Sequence, residues 1–150
     1  MGVVVDADAD LAARWRSIHA ILIQAGYQGV QNVPQTNGTI LPAPKGTLLP
    51  KLGVWIMPDN QVNGILEDFL RFLVPSNSEL FRYVENCVDR IPSEQQFFKI
   101  ADKPKAIIHT WLAWQEVPGI PFGFAITKKF LDPRVPEART LAAWLKALYL

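Results

Sequence analysis

A single cysteine, Cys87, is all the chain has in 150 residues. An internal disulfide and a cysteine-based zinc site within one chain are therefore excluded. Charge of either sign is not in excess, with 15 Lys and Arg against 14 Asp and Glu and a net charge of +1. The basic footprint that marks many nucleic-acid-binding domains is missing, although a metal ion can still bridge phosphates to an acidic site. No apolar run approaches the roughly 20 residues of a membrane helix. The amino terminus lacks the basic segment of a secretory signal, so no membrane partner is expected and the expected compartment is the cytoplasm. There is no internal repeat and no low-complexity tract. What is present is a normal globular balance, 49% apolar and 19% charged, with five Trp that call for a filled core or a large interface. Residues 1–150 are expected to form one domain.

The pattern along the chain alternates strand and helix before turning helical. Val3–Asp6 is an apolar run of the kind found in a buried parallel strand. Leu11, Trp15, Ile18, Leu22 and Ala25 then form one stripe of a helix that Gly26 or Gly29 stops. Between Gln31 and Pro50 lie four prolines. There Thr39-Ile40-Leu41 and Thr47-Leu48-Leu49 flank a turn-rich stretch that suggests a loose hairpin or an extended edge. Lys51–Met57 is the second strong strand, ended by Pro58. Four helices follow. Asn63 is expected to cap Gly64–Val74, and Ser78 to cap Glu79–Ile91. Pro104 and Pro136 open Pro104–Val117 and Pro136–Tyr149, with Leu141, Trp144, Leu145 and Leu148 of the last helix facing inward. Pro121–Leu131 reads equally as a short helix or a strand. Together these predict an α/β domain with a small, mainly parallel sheet flanked by helices, and a helical C-terminal half.

The acids carry the chemistry. Asp6, Asp8 and Asp10 alternate directly after the first strand, and Asp59-Asn60 follows the second. A helical crossover joins the two strands, so both acidic ends belong on one edge of the sheet, where open α/β sheets bind ligands. Glu67 and Asp68 fall in the first turns of the next helix, near that edge. Uncompensated carboxylates in one cleft favour a hard divalent cation, Mg²⁺ or Mn²⁺, held through Asp6, Asp8, Asp59 and Asp68. Such a site suits phosphoryl transfer, with Glu67 assisting. Each acid also has a plain structural role to offer. Asp10 reads as a helix cap rather than a ligand, Asp59 as a turn former, and Glu67 and Asp68 as first-turn acids favoured by the helix dipole. Lys105 and His109 stand four apart on one helix face, suited to binding phosphate and moving a proton, or else to a solvated Lys beside a half-buried His. Arg14 and Arg16 read as exposed helix residues, Trp111, Trp114 and Trp144 as core, and Cys87 as an inert buried thiol.

Asp-x-Asp after a strand also occurs in haloacid-dehalogenase-type phosphatases. That family places Thr or Val two residues beyond the second Asp, where this chain has Asp10. The blocks Gly2-Val-Val-Val-Asp-Ala-Asp8, Gly53-Val-Trp-Ile-Met-Pro-Asp-Asn60, Gly64-Ile-Leu-Glu-Asp-Phe-Leu70 and Lys105-Ala-Ile-Ile-His-Thr-Trp-Leu-Ala-Trp114 together resemble an uncharacterised bacterial family of Toprim-like proteins, related to the Toprim domains of OLD-type nucleases. The resemblance covers nearly the whole chain. It implies a metal-dependent domain acting on nucleic acid, with Asp6 and Asp8 as metal ligands and Glu67 matching an acid of the OLD-type relatives. A Toprim site also draws a Glu from an earlier strand, and this sequence shows no such motif. The domain is therefore expected to be incomplete at its N-terminal side, through a misassigned start, a truncation, or a lineage that kept the scaffold without catalysis. The sheet edge so exposed predicts pairing with a second copy as a homodimer.

Overall fold

Three successive valines favour extended backbone, and Gly2–Asp6 forms strand β1 in the computed structural model, which describes residues 1–150. Asp10 then caps helix α1, Leu11–Ala25, by accepting a hydrogen bond from Ala13 N at 2.8 Å. Gly26, at φ +97°, ends α1 in the left-handed conformation that glycine adopts without cost. Strands β2, Thr39–Leu41, and β3, Leu52–Met57, complete a three-stranded sheet in the order β1-β3-β2. Helices α2, Leu66–Phe72; α3, Glu79–Asp89; α4, Lys103–Ala113; α5, Phe122–Thr127; and α6, Pro136–Tyr149, follow.

The sheet is mixed rather than mainly parallel. β1 runs parallel to β3, with Asp6 beside Met57, and β2 runs antiparallel to β3, with Thr39 beside Val54. A parallel pair needs a crossover of a dozen or more residues, usually a helix. Residues 7–51, which contain α1, supply one between β1 and β3, whereas the link between β2 and β3 has no helix. Of the two arrangements expected for Thr39–Leu41 and Thr47–Leu49, the loose hairpin does not form, while Thr39–Leu41 is an extended edge strand. β2 pairs with β3 instead, and Leu48 is fully exposed.

Contacts divide the chain into two units, Met1–Phe69 with Pro136–Leu150, and Leu70–Val135. The first is layered. Every residue of β3 is buried, as expected of a strand covered on both faces. On one face Trp15, Leu22 and Tyr27 pack with Val54, Ile56 and Leu41. On the other lies α6. Trp144 meets Trp55 with ring centroids 5.7 Å apart and donates its Nε1–H to Thr39 O at 3.2 Å. Burying side chains of this size contributes roughly 1.5–3 kcal/mol each. The close approach of α6 explains Gly53, where a Cβ would stand 2.6 Å from Leu148 Cδ2 and 2.9 Å from Trp144 Cζ2. Leu145, expected inward, is 41% exposed because α6 turns only Trp144 and Leu148 fully to the core.

The second unit is helical. Ser78 caps α3 through Phe81 N, and Phe81, Val84 and Val88 form the buried stripe. Phe81 meets Trp111 of α4 edge-on at 5.7 Å. Residues 122–127 resolve the ambiguity of Pro121–Leu131 as a short helix. Trp114, read as core, is 45% exposed and lies against Tyr83. Cys87 is half-buried rather than fully enclosed.

Candidate functional site

The parallel register sets the site. Asp6 pairs with Met57, so the loops after β1 and β3 leave the sheet side by side. Asp8 N and O both bond to Gly64, each at 2.9 Å, and join the two loops as a single bridge. Asn63 reinforces the join. Its Oδ1 accepts from Leu11 N and its Nδ2 donates to Ala9 O, both at 2.8 Å. Asn63 was expected to cap the helix after it. Instead it serves the start of α1, and α2 begins three residues later, at Leu66. The competing donor is Leu11 N, one of the unpaired N–H groups at the first turn of α1.

Each predicted acid can now be placed. Asp6 is half-buried and its Oδ1 accepts from Leu66 N at 3.0 Å, which ties the first turn of α2 to the end of β1. Asp8 has φ +56°, exposes 57% of its side chain and forms an ion pair with Arg14 of α1. Asp59 Oδ1 accepts from Gln61 N at 2.9 Å and Val62 N at 3.0 Å, the turn-forming role open to it in the sequence. Asp68 Oδ2 accepts from Ile65 N at 2.9 Å and closes the entry to α2. Glu67, only 8% exposed, sits in the same first turn. Gly64, at φ +147°, makes room. A Cβ there would stand 2.7 Å from Asp68 Oδ2 and 3.1 Å from Pro58 Cδ.

The edge thus gathers Asp6, Asp8, Asp59, Glu67 and Asp68 onto two joined loops and one helix start. No three His, Cys, Asp or Glu side chains form a group that would ligate one ion. Lys105 and His109 belong to the other unit, on α4. Lys105 pairs with Asp102 at 2.9 Å, and His109 lies against the Phe122 ring at 5.2 Å. Sequence reasoning missed two residues at the edge. Arg14 was read as an exposed helix residue, yet it holds Asp8. The signal was available: Asp8 and Arg14 flank the cap of α1, and the first turn of a helix folds back over its cap. Asn60 was passed over as a companion of Asp59. It is 3% exposed at φ +65° and bonds Ile56 twice, its Oδ1 accepting from Ile56 N and its N donating to Ile56 O, both at 2.8 Å. β2 contributes no partner beyond Thr39, and Asn60 stands in the place where another β2 residue would bond Ile56.

A family model described as a protein of unknown function (DUF3226) matches residues 1–150. Neither a curated protein nor a solved structure matches.

Proposed function

We propose that the acidic edge of this chain, which belongs to the DUF3226 family of unknown function, is a Toprim-like site for a divalent cation used in cleaving or transferring phosphodiesters of nucleic acid. The observation that carries the reading is the bond from Leu66 N of α2 to Asp6 Oδ1 at the end of β1, which ties the start of the Asp6-x-Asp8 loop to the turn that holds Glu67. The donor set fits Mg²⁺ or Mn²⁺, since every candidate ligand is a carboxylate oxygen. Mg²⁺ commonly uses one or two carboxylates and takes its remaining ligands from water and substrate phosphate, so Asp6 and Asp8 are the two this reading needs. In this reading Asp6 and Asp8 hold the ion, while Asp59 and Asp68 shape the loops. When bound, the ion neutralises phosphate charge and lowers the pKa of an attacking water. Asp6 keeps one oxygen free of Leu66 N for this purpose, and Glu67 stands in the adjoining turn to accept a proton. Arg14 neutralises Asp8 until a cation replaces it.

The test is calorimetric titration of Mn²⁺ and Mg²⁺ together with plasmid nicking. Binding with a melting-temperature rise that grows by mass action is expected, and Asp6→Ala with Asp8→Asn should abolish it. A double variant that melts as the parent does and binds as the parent does would sink the site.

A second reading is favoured by a different observation. Asp8, Asp59 and Asp68 already spend oxygens on Arg14 or on backbone N–H groups. The domain would then be an interaction module that keeps the fold without turnover. β1 has a neighbour on one side only, and Val4 is 50% exposed, so its open edge would pair with a second copy. Metal-dependent nicking lost in Asp8→Asn excludes this reading. Sedimentation that stays monomeric up to high concentration removes the dimer from it.

A further inference from the structure

The helical unit contains a cavity that the acidic edge does not use, of about 870 Å³, within the range of small-molecule sites. Its walls are the segment that leaves α2 and the segment that leaves α5. Asp132 N donates to Leu73 O at 2.7 Å and stitches the two together. Phe72, Val74, Ile126 and Leu131 supply an apolar wall, and Ser76 adds a hydroxyl donor, the Thr127 hydroxyl being donated to Gly123 O.

Charge selects the ligand class. The cavity is lined by two cations, Lys129 and Arg134, and by one acid, Asp132. That acid is engaged with Arg134 in a two-point pair, Nε to Oδ1 at 2.9 Å and Nη2 to Oδ2 at 3.0 Å. A guanidinium has five N–H donors, so Arg134 keeps donors to spare. Lys129 is the second signal. It sits just past the end of α5 at φ +62°, with its N donating to Ile126 O at 3.0 Å and Phe130 N donating to Ala125 O at 2.9 Å. Glycine is the usual residue at such a helix end, and a lysine there is strained. Its place is explained if the ammonium group is used.

We propose that this cavity binds an organic phosphate monoester, the phosphate at Lys129 and Arg134 and the apolar body against Phe72, Val74, Ile126 and Leu131. A phosphate dianion offers three acceptor oxygens, enough for both cations and a hydroxyl, where a carboxylate offers two. The site is separate from the acidic edge and does not depend on a metal there.

The experiment is titration of the full chain with phenyl phosphate, inorganic phosphate and benzoate in metal-free buffer, followed by heteronuclear NMR. Phenyl phosphate should shift the resonances of residues 126–134 and bind at least about tenfold more tightly than either other probe. Lys129→Gly is the decisive variant because it removes the cation and relieves the backbone. It should melt at the same temperature as the parent or higher, yet bind phenyl phosphate about tenfold or more weakly. Arg134→Gln should show a similar loss. Undiminished affinity in Lys129→Gly, no binding of phenyl phosphate at about 10 mM, or equal binding of inorganic phosphate would each overturn the proposal.

Discussion

After β1 the chain sets Asp8 in the left-handed region, leaves 57% of its side chain exposed and pairs its carboxylate with another side chain, Arg14. After β3, the neighbouring strand of the same sheet, Asp59 gives its Oδ1 to two backbone N–H groups of its own loop, and buried Asn60 finishes the strand. The two loops contain the same chemical group on neighbouring strands and use it differently. Exchanging one partner ion for another leaves the backbone after β1 in place. Removing the carboxylate after β3 leaves N–H groups without their acceptor. A ligand can therefore displace the partner of Asp8 at little structural cost, whereas the loop after β3 acts as its rigid frame.

The largest effect should come from breaking that frame at Asn60. Asn60→Ala leaves Ile56 N buried without its partner and puts a Cβ-bearing residue without a local hydrogen bond at φ +65°. An unsatisfied buried donor costs about 1–3 kcal/mol, and the left-handed backbone adds about 1 more. Urea denaturation should show a loss of about 3 kcal/mol, and a loss under about 0.5 kcal/mol would mean that another group completes β3. Gly64→Ala is next, at about 1–3 kcal/mol, because φ +147° is a region open almost only to glycine and the added Cβ meets the Asp68 carboxylate. If it folds with parental stability, the Asp68–Ile65 bond is not what opens α2.

The elements most legible in the sequence were those whose cause is local. The helix at residues 11–25 follows from one apolar stripe, a capping Asp10 and a terminal Gly26, and each does what its residue type implies. Ser78 and Pro136 mark helix starts for the same reason. The apolar run Val3–Asp6 predicted a buried strand, yet β1 is an edge strand with Val4 50% exposed, and it is β3, in the middle of the sheet, that is buried throughout. Features settled by distant partners were not legible. Thr39–Leu41 found a partner in β3 rather than in the nearby Thr47–Leu49, which no local pattern decides. Asn63 looked like a cap for the helix beside it and serves one that starts 52 residues earlier. At the edge, the meeting of Asp6 with the turn of Glu67 followed from strand order, but the ion pair of Asp8 with Arg14 did not, because exposed arginines have many reachable partners.

A smaller effect separates the two loops directly. Asp59→Ala should lower stability by about 1 kcal/mol, the usual worth of a side chain that accepts from turn N–H groups, and leave Mn²⁺ affinity within about twofold. Asp8→Asn should do the reverse. Its exposed ion pair is worth at most about 1 kcal/mol, and asparagine tolerates the left-handed backbone, so stability should hardly move while Mn²⁺ binding disappears. Measuring both variants by denaturation and by titration makes the comparison a double dissociation. If the two behave alike in both assays, the loops do not differ in kind.

The smallest structural change and the sharpest question lie in Arg14→Gln. The pair it removes is exposed on both sides, at 42% and 57% of the side chains, so unfolding free energy should change by no more than about 0.5 kcal/mol. Its effect on the cation should be larger than its effect on the fold. A unit positive charge about 4 Å from a divalent cation in water opposes it by about 2 kcal/mol, and removing it should raise Mn²⁺ affinity by up to about thirtyfold. High salt should narrow the difference between parent and variant, because exposed charges are screened. A fall in affinity would reverse the interpretation. Arg14 would then be holding the Asp8 carboxylate in the orientation that the ion needs, and the loop after β1 would be a frame of the same kind as the loop after β3.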